Sequence, residues 1–223
     1  MLRKRKYYLD LQVHTGRYSP CSRIPPERMI AVAHSRGLDG IAVTEHFGGW
    51  VPEELADLKH ASGYHDFPLL AGYEIRTQSG ERPTGDLIVF GVAQRPAEPC
   101  SIDQLCREVH RQGGIVVAPH PFAGVQGIGD EVYSSWVDAI EVYNLRYGDP
   151  DQSRRAEEAC RQMNLAGLGA SDAHALEEIG GCCTEFDDPI ANERELMAAI
   201  VSRRCRPRPK PPPRHLWRLF SSR

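Results

Sequence analysis

Short β-rich runs alternate with helical runs along most of this chain, and that alternation is what most limits its fold. Tyr8–His14, Gly40–Thr44, Leu69–Ile75, Leu87–Val92, Ile115–Ala118, Ala139–Tyr143 and Ala166–Ala170 read as strands. Several of these, such as IAV, LIVF and IVVA, are continuously apolar, as parallel strands covered on both faces tend to be. Between them Pro25–Arg36, Pro52–Ala61, Ile102–Gln112 and Gln152–Met163 show helical spacing, and a last helix is expected from about Asn192 to Ser202. Pro25 and Pro26 suit a first helical turn and Gly37 its stop; Ser101 suits an N-cap and Gly113–Gly114 an end. Seven strands with intervening helices predict an α/β fold, a small barrel rather than an open sheet, although periodicity alone fits both.

Length and charge narrow the setting. The 223 residues suffice for one domain with a real core, and no apolar stretch approaches the ~20 residues that span a bilayer. The start MLRKRKYYLDLQVH runs from a basic cluster into a strand with no apolar signal region, so the cytoplasm is the expected location. The seven cysteines contain no C-x-x-C pair and are expected to be reduced thiols. The net charge of -3 conceals an asymmetry. From Arg203 onward there are eight Lys/Arg and no Asp/Glu, which leaves residues 1–202 with 19 basic and 30 acidic side chains. The expected organisation is therefore a folded domain over 1–202 and a basic, Pro-rich tail over 203–223. The run RPRPKPPPR favours an extended segment with no packed core. The tail is expected to be disordered and solvated, or else to dock an acidic partner, an anionic lipid surface or nucleic acid.

The His, Asp and Glu residues fall in a pattern that carries chemistry. Asp10, Gln12 and His14 alternate along the first strand, which puts all three on one face. His46 follows the second strand, Glu74 lies near the end of the third, and Asp86 opens the fourth. His120 comes straight after IVVAP, and Asp172 and His174 follow the last strand as SDAH. Nearly all of them stand at or beyond a strand's C-terminal end, where sites assemble in parallel α/β folds. Any one of them alone reads as a cap, a turn residue or a buried ion-pair partner. Together, imidazoles and carboxylates at one end of a sheet suit Zn²⁺, Mn²⁺ or Fe²⁺, and Glu74 can bridge two ions. A pair of ions acidifies a bound water and clamps the oxygens of a phosphoryl group.

The segments DLQVHT, GLDGIAVTEH, AGYEI, APHPF and SDAH, with IEVYN before the last, occur in an order that resembles the PHP (polymerase and histidinol phosphatase) domain superfamily over about residues 8–190. The resemblance implies a distorted, TIM-like (β/α)7 barrel with two or three metal ions at the C-terminal ends of the strands, and hydrolysis of phosphoesters. By position it assigns metal-ligand roles to His14, His46, Glu74, His120, Asp172 and His174. The chain departs from the family pattern in four places: Gln12 stands for a His, Asp86 for a His, Glu45 for the Asp of T-D-H, and an early acidic or His ligand is absent, with only Cys21 nearby. Gln12 and Asp86 shift the ligand set toward oxygen, which predicts Mn²⁺ or Fe²⁺ alongside or instead of Zn²⁺.

The expected activity is metal-dependent hydrolysis of a small phosphorylated metabolite or nucleotide by metal-activated water. Glu74, Asp172 and His174 are the expected catalytic groups, and Arg17, Arg76 and Arg146 the candidates for substrate phosphate. Two rival readings are an exonuclease-type phosphodiesterase, disfavoured by the acidic body, and a non-catalytic metal- or phosphate-binding scaffold.

Overall fold

A computed structural model describes residues 5–211. Each expected strand forms: β1 (Tyr7–Val13), β2 (Gly40–Glu45), β3 (Leu69–Ser79), β4 (Arg82–Phe90), β5 (Ile115–Ala118), β6 (Ala139–Asn144) and β7 (Ala166–Ala170). So do the helices α1 (Pro26–Ser35), α2 (Pro52–Ser62), α3 (Ile102–Arg111), α4 (Pro150–Met163) and α5 (Glu193–Val201). Local chemistry sets their ends. The Ser101 hydroxyl accepts from Gln104 N while the Gln104 side chain accepts from Ser101 N, a reciprocal cap for α3. Asp149 accepts from Asp151 N and Gln152 N at the start of α4, and Asn192 accepts from Glu195 N at the start of α5.

Two strands lie outside the sequence expectation, β8 (Cys183–Phe186) and β9 (Cys205–Arg208). The single sheet runs β7-β6-β5-β4-β3-β2-β1-β8-β9. β1–β2, β2–β3, β5–β6 and β6–β7 are parallel, whereas β4 is antiparallel to both neighbours and β8 is antiparallel to β1 and β9. The sheet curls until its ends nearly meet. Val13 bridges Ala173 just beyond β7, with His14 N donating to Ala173 O at 2.9 Å and Ala173 N to Gln12 O at 3.1 Å. At the other rim the Thr184 hydroxyl bonds both N and O of Gly169. A Cβ on Gly169 would sit 2.5 Å from Cys183 O, so only glycine admits β8 and β9 there. The result is a mixed, nearly closed barrel of nine strands in place of the seven parallel ones expected.

β9 also revises the expected tail. Its outer residues Arg206 and Arg208 both reach the buried carboxylate of Glu185, and Cys205 packs against the central core. The sheet thus continues past residue 202, and Pro207 is tolerated because this strand is the last of the sheet. The remainder of the expected tail, residues 212–223, lies outside the described residues.

The barrel interior is filled by Leu9, Leu11, Leu70, Ile88, Phe90, Val117, Leu168 and Phe186, with Leu196 and Ile200 of α5 packed on the same cluster. Burial of each large apolar side chain contributes roughly 1.5–3 kcal/mol. Separate clusters hold α1 and α2 against one stretch of sheet and α3 and α4 against another. Among the described residues no helix is long and apolar enough to cross a membrane.

Candidate metal centre

The direction of β4 explains how a residue that opens a strand joins residues that close others. Because β4 runs antiparallel to β3, Asp86 pairs in register with Arg76, just past Glu74. Gly85 before it takes φ +114°, and a Cβ there would meet the backbone of Gly127 at 2.5 Å. Glycine at that point lets the loop after β5 lie on the hairpin, where Asp86 N donates to Gln126 O at 2.8 Å.

Glu74 is the hub. Its Oε2 lies 3.1 Å from His14 Nε2 and 3.8 Å from His46 Nδ1, and its Oε1 lies 3.3 Å from His120 Nε2. His14 Nε2 is also 3.2 Å from Asp172 Oδ1. The ring of His14 stacks on that of His46 at 4.5 Å and lies 4.4 Å from that of His174. Among the described residues, three groupings place one potential ligand atom per residue within 4.8 Å of the others: His14 with His46 and His174, His14 with Glu74 and Asp172, and Glu74 with Asp86 and His120. His14 and Glu74 are shared, so the groupings form one continuous cluster.

Two observations test whether this donor set fits divalent ions. First, His14 Nε2 and His120 Nδ1 are fully buried yet have no hydrogen-bond partner, an arrangement that is costly unless a ligand completes it. Second, the site's field favours cations. Burial alone pulls the two imidazoles toward neutrality, but Asp172 and Glu74 outweigh it at His14, pushing its pKa up to about 10. Glu74 likewise dominates at His120, which rises to about 9. Burial would raise Glu74, yet His120 and His14 hold it well below the usual carboxylate range. A cluster that holds protons this strongly has the potential to hold a metal ion in their place. The residues therefore fit the ions that the sequence resemblance implies. His120 and Asp172 also adopt left-handed backbone, φ +30° and +54°, a strain found preferentially at functional sites.

The structure separates the remaining candidates. Asp10 does not share the face of Gln12 and His14. A register shift between Asp10 and Val13 re-aims it, and it accepts from Ser171 N, the Ser171 hydroxyl and Gly180 N. Gln12 does reach the cluster, but through its nitrogen, which donates to Glu74 Oε2 at 3.1 Å. Glu45, fully buried, accepts from Thr15 N and Oγ1, Ser19 Oγ and Trp50 Nε1; it fastens the loop after β1 to β2 and belongs to none of the three groupings. Cys21 is exposed and likewise outside them.

The three arginines differ. Arg17 pairs with Glu54 and lies over the rings of Tyr18 and Trp50, in a groove between α1 and α2 whose lining includes none of the candidate ligands. Arg76 closes on both carboxylate oxygens of Asp86 and on Gln126. Arg146 also lies at the cluster with part of its side chain exposed, and it is held more loosely than Arg76: its Nε is 3.7 Å from Asp172 Oδ2 and its Nη2 3.2 Å from Glu178 Oε2. Glu141, Asn144 and Glu178 went unassigned in the sequence. Glu141 accepts from His120 N and Asn144 Nδ2, each at 2.8 Å, and Glu178 accepts from His174 N at 2.7 Å. The only trace was the IEVYN segment, which gave no role to either of its polar members.

Comparison with known proteins bears on the same regions. A family model described as PHP-associated matches residues 150–205, from α4 to the start of β9. The chain is similar to the uncharacterized protein MJ1587 of Methanocaldococcus jannaschii, 26% identical over 151 residues that cover 63% of this chain and 83% of that one. In fold it resembles a putative metal-dependent phosphoesterase from Bifidobacterium adolescentis (TM-score 0.61, 16% identity, 87% of this chain and 96% of that one). It also resembles the lesion-specific endonuclease PfuEndoQ of Pyrococcus furiosus (TM-score 0.59, 14% identity), covering 89% of this chain and 56% of that one.

Proposed function

We propose that this chain, a PHP-domain protein, is a metal-dependent phosphoesterase that hydrolyses a small phosphorylated metabolite or nucleotide. The observation that carries the reading is the buried Nε2 of His14, which makes no well-directed hydrogen bond yet is set between the carboxylates of Glu74 and Asp172. One ion would be held by His14, His46, His174 and Asp172, a second by Asp86 and His120, with Glu74 between them. The mixed nitrogen and oxygen set suits Mn²⁺ or Fe²⁺ as well as Zn²⁺. When bound, such ions supply an acidified water and positive charge for the phosphoryl oxygens.

The chain's own groups do the rest. Burial lowers the pKa of His174, so its imidazole is neutral near pH 7 and able to ligate or to take a proton. Its Nδ1 lies 2.9 Å from Asp172 O, which fixes the ring and leaves Nε2 for the site. Arg146, beside Asp172 and partly exposed, is the group that would bind the incoming phosphate. The second reading is an exonuclease-type phosphodiesterase, and the fold shared with a lesion-specific endonuclease is compatible with nucleic acid as a substrate.

One assay tests both. Purified full-length protein is supplied with Mn²⁺, Zn²⁺ or no metal and offered an aryl phosphate, a nucleotide panel and a single-stranded oligonucleotide, with His174→Ala as control. Metal-dependent release of phosphate from the small substrates, lost in the variant, is expected. Preference for the oligonucleotide would support the second reading, and bound metal without turnover would leave a scaffold.

A further inference from the structure

Asn144 decides which way the amide of Gln12 points. Asn144 Oδ1 accepts the backbone N–H of Arg146 at 2.8 Å and of Tyr147 at 2.9 Å, so Nδ2 is its donor end. That nitrogen donates to Glu141 Oε2 at 2.8 Å and to Gln12 Oε1 at 3.4 Å. With its carbonyl oxygen facing a donor, Gln12 presents Nε2 to Glu74 Oε2 at 3.1 Å. An amide nitrogen has no lone pair to offer a cation, and the one ligating atom of Gln12 is turned to Asn144. Gln12, Glu74, Glu141 and Asn144 are all buried, at 0%, 3%, 3% and 4% exposure, so solvent does not compete for these bonds.

We propose that Gln12 is a positioning residue of the metal centre: it ligates no ion, holds Glu74 by a donated hydrogen bond, and is set in that role by Asn144. The inference rests on the reading that the chain binds divalent ions. The bond to Oε2 fixes the rotation of the Glu74 carboxylate, keeping Oε2 toward His14 and Oε1 toward His120. The amide does this without adding charge. Asn144 also grips Glu141, and Glu141 accepts from His120 N, so one side chain steadies the seats of both Glu74 and His120. Supporting groups of this kind, when removed, typically weaken metal binding ten- to hundredfold.

The test reads ions, not turnover. Full-length protein stripped of metal is titrated with Mn²⁺ by calorimetry, and ions per chain are counted by elemental analysis after dialysis. Wild type is compared with Gln12→Ala, Asn144→Ala, the double variant and His14→Ala. Gln12→Ala is expected to keep the wild-type number of ions with a Kd ten- to hundredfold weaker, whereas His14→Ala loses an ion. The double variant should bind about as weakly as the weaker single variant, because both break one relay. Should Gln12→Ala not fold, Gln12→Met, which conserves volume and removes the donor, carries the same expectations. Loss of a whole ion in the Gln12 variant, wild-type affinity in it, or additive effects in the double variant would overturn the proposal. A wild-type chain that holds no ion would overturn the phosphoesterase reading and this inference with it.

Discussion

His14 Nε2 stands 3.1 Å from Glu74 Oε2 at the centre of the site, and neither side chain has water-exposed surface to speak of. A contact this dry between an imidazole and a carboxylate is stable with a proton or a metal ion between them, and costly with neither. His14→Ala should therefore lower metal-dependent kcat/KM by more than about a hundredfold, as loss of a ligand exceeds loss of a supporting group. Steady-state rates at saturating Mn²⁺ measure it, and a rate within a few-fold of wild type would remove His14 from the ligand set.

Glu45 is expected to matter for stability and not for metal. Its carboxylate receives four hydrogen bonds, from Thr15, Ser19 and Trp50. Glu45→Gln turns one acceptor into a donor facing other donors, at a cost of about 2–3 kcal/mol. Urea denaturation should show that loss while the number of bound ions stays at the wild-type value.

Arg146→Ala should act on substrate binding. The side chain lies beside Asp172 and Glu178 without belonging to the ligand groupings. An increase in KM of about tenfold with a smaller change in kcat is expected, the signature of binding shared by ground and transition states. An unchanged KM would place phosphate recognition elsewhere.

The thiols should separate by reactivity. Burial pushes Cys106 up to about 11 and Cys182 up to about 12. A raised pKa means less thiolate at a given pH, so at pH 8 only about one Cys106 in a thousand is reactive. Iodoacetamide labelling followed by peptide mapping should mark exposed Cys21 first and leave Cys106 and Cys182 unmodified until the protein unfolds.

Runs such as IAV and IVVA could be read as strands from the sequence because burial on both faces demands unbroken apolar stretches. CTEF and CRPR could not: they are four residues long, half polar, and held by cross-strand pairing and by ion pairs to Glu185. The antiparallel course of β4 was equally hidden, since apolar runs carry no direction. At the site, residue type and placement after strands were enough to single out His14, His46, Glu74, His120, Asp172 and His174. Orientation was not legible. Gln12 is turned by Asn144, which follows it by 132 positions, and Arg17 is drawn to Glu54, 37 positions on.

Asp10 ties the first strand to Ser171, 161 positions later, and to Gly180, 170 positions later. The ligand candidates flank those same two stretches, His14 on one and Asp172 with His174 on the other. The site is therefore incomplete until residues 171–180 have joined the first strand. A truncation before residue 171 strips the buried Asp10 carboxylate of Ser171 and Gly180 and also removes Asp172 and His174. Ion uptake by the groupings that contain His174 or Asp172 should accordingly follow closure of the sheet, whereas Glu74, Asp86 and His120 do not depend on that stretch.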